Sequence, residues 1–310
     1  MNQQAFIVTA HQPEPILKRM VERLTPIGIV LVHVDARVPI EPFRDLIPSA
    51  ILIPNRVKVT YPRWSLLEAS LNLSRQALEI EGISRVTLLR STHYPIVRDH
   101  QLAHLASDMA DYIEALPAPN SGRGKPVSRF TRRSVSSHRH GRWGHVAIAG
   151  VINRLRPPLD WTVALGETEL RAGSAYWSLR AETLANVVEI VRAGGPLVDY
   201  FSRIDSPDES FFHTVVPTIS KNLITRPISY SSWEDGQHPT SLTREDLRSA
   251  MIEGTYFFAK KFEIELADWV DDQLSEIESE DGSLEPEAVS EPSSSSDASP
   301  SPRLPPTSAV

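Results

Sequence analysis

Over its first ninety residues the chain alternates between continuous apolar runs and stretches where apolar residues recur every three or four positions. Residues 5–10 (AFIVTA) and 29–35 (IVLVHVD) are β-rich runs; between them Ile16, Leu17, Met20, Val21 and Leu24 keep the spacing of one helix face. Two short apolar segments follow, residues 50–54 and 57–61. Ser65 stands where an N-cap would open a helix through Leu67, Leu71 and Leu78, and residues 85–89 form the next strand. Apolar strands separated by helices predict an α/β fold: a mostly parallel central sheet flanked by helices on both faces. In such sheets ligands gather beyond the carboxyl ends of the strands.

The second half reads differently. Residues 117–145 are loop-like, with seven Arg or Lys and no Asp or Glu. Regular patterning resumes at 161–165 and 175–179, then as a helix over 181–191 and another opening near Pro207. A strand is predicted at 223–228. Thr243, with Asp246 three residues on, is a capping box for a helix to Ile252. Phe262, Leu266, Trp269, Val270 and Leu274 give a last amphipathic helix.

Composition changes the picture at one end. Of the net charge of −7, residues 271–310 contribute −9, from ten acids and the single base Arg303, so the preceding 270 residues are close to neutral. That segment is rich in Ser, Pro and Glu, too polar to offset chain entropy by burial, and is expected to be a disordered acidic C-terminal tail. The chain has no cysteine, which excludes disulfides, thiolate nucleophiles and zinc–thiolate sites. It lacks an apolar run of about eighteen residues and a signal-like start, so a cytoplasmic protein with no transmembrane segment is expected.

Candidate chemistry is sparse. Neither a glycine-rich phosphate loop nor a zinc-protease or serine-hydrolase motif occurs. His138, His140 and His145, in a basic stretch without carboxylates, are expected to be solvated rather than metal ligands. Asp35 ends an apolar strand, where it either hydrogen-bonds a ribose or uracil or caps a turn. Ser206-Pro207-Asp208-Glu209 reads first as a capping box, with Glu209 reaching back to the Ser206 amide. Its other reading makes Glu209 a general base, because a neutral hydroxyl attacks an anomeric carbon poorly unless its proton is taken. In FFAKKF (257–262) the lysines either snorkel over an amphipathic surface or meet a diphosphate.

In this order the fragments resemble the core-2/I-branching N-acetylglucosaminyltransferase family, which includes peptide xylosyltransferases. The matching pieces are AFIVTAH, VHVD (32–35), YPRWSLLEASLN (61–72), STHYPIV (91–97), GSAYWSL (173–179), SPDESFFHT (206–214) and FFAKKF, spread over residues 4–265. The resemblance implies a GT-A-like nucleotide-sugar-binding fold. It also implies inverting, metal-independent transfer of N-acetylglucosamine or xylose from a UDP-sugar to a hydroxyl of a glycan or other acceptor, with no cofactor. Carried over residue by residue, Glu209 matches the catalytic base, Asp35 and Tyr61 the uridine contacts, and Lys261 the lysine that holds the diphosphate. Tyr176, Trp177, Tyr230 and Trp233 fall where the family lines its acceptor site, with core packing an equal reading for Trp177. The domain organisation that follows is a transferase domain over 1–270, its nucleotide-binding half at 1–98, the basic loop at 117–145 and the acceptor half at 146–270.

Three departures stand out. His93 occupies the position of the family's usual aspartate before Tyr94-Pro95. The second basic residue of the diphosphate site is replaced by a stretch containing His238, leaving His238 or an arginine of the 117–145 loop to supply that charge. The chain also lacks the membrane anchor and cysteines of the animal enzymes, which points to a bacterial cytoplasmic relative. Two competing functions remain: a catalytically decayed saccharide- or nucleotide-binding protein on the same fold, and nucleic-acid binding through the basic loop. The near-neutral folded part argues against the second.

Overall fold

The apolar runs of the first half become neighbouring strands of one sheet in the computed structural model, which describes residues 3–119, 126–134, 154–233 and 240–282. The strands are β1 (Gln3–Ala10), β2 (Ile29–Val34), β3 (Ile51–Leu52), β4 (Ile83–Arg90), β5 (Tyr94–Pro95), β6 (Asp111–Ile113) and β7 (Leu116–Pro117). They continue as β8 (Arg171–Ala172), β9 (Trp177–Arg180), β10 (Leu223–Ile224), β11 (Ser229–Ser231) and β12 (Phe258–Lys260). Seven build the central sheet in the order β10-β6-β9-β4-β1-β2-β3. All its pairings are parallel except those of β9, which runs antiparallel between β4 and β6. The α/β class expected from the sequence is therefore the observed one.

Alternation along β1 divides the core. Phe6 and Val8 face one side of the sheet, with Leu17, Met20 and Val21 of the helix Pro15–Leu24. Ala5 and Ile7 face the other, with Leu67 and Leu71 of the helix Trp64–Leu78 and Leu184 of the helix Ala181–Ala193. Burial on both faces is the reason these strands read as unbroken apolar runs. A small second sheet, β11-β12-β5, lies beside the carboxyl end of β4, because β5 follows β4 after three residues and pairs antiparallel with β12.

Several expectations need correction. Residues 57–61 form no strand: the Val57 amide donates to His33 Nε2 (2.9 Å) and its carbonyl accepts from Ala36 (3.0 Å), so its backbone groups are spent on the loop after β2. Ser65 is not an N-cap; the helix begins at Trp64 with Arg63 in that place, and Ser65 Oγ accepts from the Thr60 amide at 2.8 Å. The segment 223–228 yields only β10, then turns through Arg226, and β11 joins the other sheet. The basic stretch carries β7 and a short helix, Ser128–Thr131. The capping box at Thr243 is present, with Asp246 N donating to Thr243 Oγ1 (3.1 Å) and Thr243 N to Asp246 Oδ2 (2.9 Å).

Contacts divide the chain into one unit over Met1–Leu274 and a second over Ser275–Val310. The last helix is Ile264–Gly282; residues of the acidic tail beyond it lie outside the described ones. Among the described residues no helix is long and apolar enough to cross a membrane.

Candidate active site

Strands β1, β2, β4 and β6 point the same way, so their carboxyl ends define one edge of the sheet. His11, Asp35, the turn Ser91–His93 and Glu114 follow those four strands directly. Strand β9 enters from the opposite direction, with Ser178 opposite Thr87, and so brings Tyr176 to the same edge. The topology thereby gathers side chains that are up to 165 residues apart in sequence (His11 and Tyr176).

Asp35 is 3% exposed and clasped by its neighbour Arg37: Nε reaches Oδ1 at 3.1 Å, Nη2 reaches Oδ2 at 2.6 Å, and the Arg37 amide donates to Oδ1 at 2.9 Å. Burial pushes this carboxyl up, but the hydrogen bonds from Arg37 outweigh it and hold the group below the usual carboxylate range. Both sequence readings of Asp35, turn cap and ligand contact, use the same oxygens. Tyr61 lies on the segment after β3 and is 63% exposed.

The second group forms where the small sheet meets β4. Phe262 N donates to Thr92 O (3.0 Å), fastening the residues after β12 to the turn after β4. Lys260 Nζ stands 4.4 Å from the centroid of the Tyr176 ring, and the His93 ring meets Tyr176 edge-on at 4.3 Å. Lys261 is exposed, while Lys260 is half-buried. His93 is fully buried; its Nδ1 faces the Arg90 amide (3.1 Å), and Nε2 has no hydrogen-bond partner. Burial, and after it the charge of Lys260, hold this imidazole well below the ordinary histidine range, so it is neutral.

Glu209 sits in the 3-10 turn Pro207–Glu209, directly before the helix Phe211–Ile219. The predicted capping box is absent. Ser206 makes no side-chain cap, adopts a left-handed backbone (φ 48°, ψ 59°), and gives its amide to Pro62 O at 2.6 Å. A non-glycine residue in that region costs about 1–2 kcal/mol and persists where surrounding contacts impose it. Here those contacts are the Pro62 hydrogen bond and the burial of Ser206 and Pro207. The Glu209 carboxylate instead meets Arg129 Nη2 at 2.8 Å, with the two side chains 34% and 17% exposed. Its backbone carbonyl accepts from Gly173 N (3.0 Å), and the adjacent Ser174 N donates to Glu114 Oε2 (2.8 Å). His213 Nε2 lies 2.7 Å from Ser174 O. Gly173 has to be glycine: a Cβ there would stand 1.6 Å from Glu114 O.

Of the other residues singled out from sequence, Trp177 is a core side chain, fully buried and packed 4.7 Å from Phe212. Tyr230 stands on β11, its hydroxyl 3.2 Å from Asp246 and its ring against Tyr256, while Trp233 is 41% exposed. His138, His140, His145 and His238 lie outside the described residues. Among the described residues no three His, Asp or Glu side chains gather in a way that could hold a metal ion. Arg37, Glu114, Arg129 and His213 escaped the sequence reading. Glu114 had a usable signal, since it follows an apolar strand on the carboxyl edge; the pairing of Arg129 with Glu209 had none.

Comparison with known proteins gives one decisive match. No curated protein matches the chain. Among solved structures, a 4-diphosphocytidyl-2C-methyl-D-erythritol synthase is 9% identical over 81% of this chain and 98% of its own, with a TM-score of 0.37. The corresponding synthase from Anaerococcus prevotii DSM 20548 is also 9% identical over the same shares, with a TM-score of 0.33. The apo form of mouse xyloside xylosyltransferase 1 is 11% identical over 86% of this chain and 99% of its own, at 0.34. These scores are too low to carry an argument. The family model of the core-2/I-branching enzymes, in contrast, matches residues 4–254, a span that takes in Asp35, Tyr61, His93, Tyr176 and Glu209. On that match the chain belongs to the core-2/I-branching enzyme family and is a glycosyltransferase.

Proposed function

We propose that the enzyme moves N-acetylglucosamine or xylose from a UDP-sugar to an acceptor hydroxyl with inversion, without a metal ion, and that Glu209 is its base. The observation that carries this reading is the state of Glu209. Its carboxylate stands beside a strained Ser206 and meets Arg129 Nη2 at 2.8 Å. In the step, the acceptor oxygen forms a bond to the anomeric carbon while Glu209 takes the hydroxyl proton. The bond from that carbon to the diphosphate oxygen breaks, and UDP leaves with the electron pair. Its growing negative charge calls for preorganised cations, and Lys261 on the segment after β12 is the first candidate. Asp35 and Tyr61 would contact the uridine, and Tyr176, Tyr230 and Trp233 the acceptor, aromatic faces suiting the apolar faces of sugar rings.

The direct test measures UDP release from a panel of UDP-sugars with and without EDTA. Turnover that persists in EDTA supports the metal-free mechanism. Activity abolished by the chelator and restored by a divalent cation overturns it, and the absence of turnover with every donor, despite UDP binding, favours a decayed binding protein instead.

A further inference from the structure

We infer that His33 is a positioning residue of the nucleotide site, whose neutral imidazole anchors residues 57–62 across the end of β2. This rests on the UDP-sugar reading above, in which Asp35 and Tyr61 meet the uridine. His33 is the penultimate residue of β2 and is buried, and its Nε2 accepts the Val57 amide at 2.9 Å. A ring nitrogen that accepts from a backbone amide carries a lone pair, so the proton of the neutral imidazole sits on Nδ1. The Val57 carbonyl in turn accepts from Ala36 N at 3.0 Å, and the Val59 amide is among the groups that draw the Asp35 carboxyl down. Alternate amides of residues 57–59 are thus committed to His33 and Asp35, side chains two positions apart at the end of one strand.

From this anchor the strap runs to the turn of Glu209. Thr60 N donates to Ser65 Oγ (2.8 Å), Tyr61 comes next, and Pro62 O accepts from Ser206 N at 2.6 Å. Tyr61 is therefore carried between the Asp35 loop and the Glu209 turn on a segment fastened at both ends. Arg56, just before the strap, donates to Val34 O (3.0 Å), Asp35 O (3.1 Å) and Val38 O (2.7 Å) and so braces the loop after β2. An arginine keeps its charge across the working pH range, whereas a histidine titrates within it. A proton added at His33 Nε2 turns the acceptor into a donor facing the Val57 amide, and the anchor is lost. Burial pulls His33 down most; a hydrogen bond to its own backbone and the charge of Asp35 raise it, Arg56 lowers it, and the balance lies below the ordinary value of 6.5. The strap is thus anchored at neutral pH and released as pH falls through the folded value of His33. His11, after β1, is a second imidazole near Asp35, also pushed down, first by burial and then by Arg90.

Isothermal titration with uridine, which has no phosphate to titrate, tests the assignment at pH 7.5 and 5.5 on the wild type, His33→Gln and His33→Leu. Glutamine can place Oε1 where Nε2 stood and accept the same amide without titrating, whereas leucine leaves the amide without its acceptor. The expected result at pH 7.5 is a loss of about tenfold in uridine affinity for His33→Leu, with His33→Gln within about threefold of wild type. Between pH 7.5 and 5.5 the wild type loses about threefold or more, and the glutamine variant shows a flatter profile, what remains belonging to His11. A folded His33→Leu variant with wild-type uridine affinity overturns the inference. So does a His33→Gln variant whose affinity falls with pH as steeply as that of the wild type, and this second arm holds even if the leucine variant does not fold. A wild type that binds neither uridine nor UDP at pH 7.5 overturns the UDP-sugar reading itself, which separates the two failures.

Discussion

Replacing Glu209 by Gln separates a base from a structural glutamate, because the two roles predict losses of different kind and size. The two side chains have the same shape, and the Ser206 amide that a capping box would use donates to Pro62 O. The substitution weakens the ion pair with Arg129 at 2.8 Å, between side chains 34% and 17% exposed. A pair open to solvent to that degree contributes about 0.2–1 kcal/mol, and the Gln oxygen can still accept from Arg129. For a unit of this size the weakening of that pair lowers the melting temperature by no more than about 4 °C. Removing a general base instead costs about a hundredfold or more in turnover, equivalent to about 2.7 kcal/mol of transition-state stabilisation. The assay is UDP release at saturating donor and acceptor, paired with a thermal melt of the same sample. Activity within about threefold of wild type would refute the base assignment. A melting temperature lowered by far more than about 4 °C would show that Glu209 holds the fold together.

Two further outcomes follow from packing and titration. Gly173→Ala drives a Cβ to 1.6 Å from Glu114 O and 2.9 Å from His213 Cδ2, where backbone must move. We expect a loss of about 2 kcal/mol or more in urea unfolding, with activity falling as the Gly173–Glu209 contact shifts; wild-type stability contradicts the close approach. His93 is held neutral in the folded chain by burial and by Lys260, whereas the unfolded chain binds a proton near pH 6.5. The unfolded state therefore holds more protons below that pH. Stability contributed by this group is complete above about pH 6.5 and is lost as pH falls towards the folded value, by at most about 1.4 kcal/mol per pH unit. His33, also shifted down by burial, adds to the same slope. Unfolding curves at pH 7.5, 6.5 and 5.5 should show a shallower acid loss for His93→Gln, and identical slopes contradict the neutral, buried imidazole.

Patterns with a local cause were legible in the sequence. The apolar runs of β1, β2 and β4 could be read because a strand buried on both faces needs no partner identity to be apolar. The helix Pro15–Leu24 and the capping box at Thr243 could be read because their contacts span three or four residues. The capping box at Ser206 had the same local signature and does not form. Its amide is taken by Pro62, 144 residues earlier, and nothing within the four-residue motif announces that. Residues 57–61 have strand-like composition, yet the backbone groups of Val57 go to His33 and Ala36 and those of Thr60 to Ser65 and Arg63.

The candidate site divides in the same way. Sequence alone determined which residue types were available: the acid after β2, the Ser-Pro-Asp-Glu run and the two lysines between aromatics. It also determined that no cysteine chemistry was possible. Only the tertiary structure decided which of them meet. Strand order brought Tyr176 and His93 to one edge, the antiparallel β5–β12 pairing set Lys260 over Tyr176, and the packing that buried Trp177 removed it from the surface. Arg129 reached Glu209 from 80 residues away. Each of those outcomes depends on contacts between distant segments, whose formation is governed by sheet order and burial rather than by local pattern, and that is why the side chains could be named from the sequence but not paired.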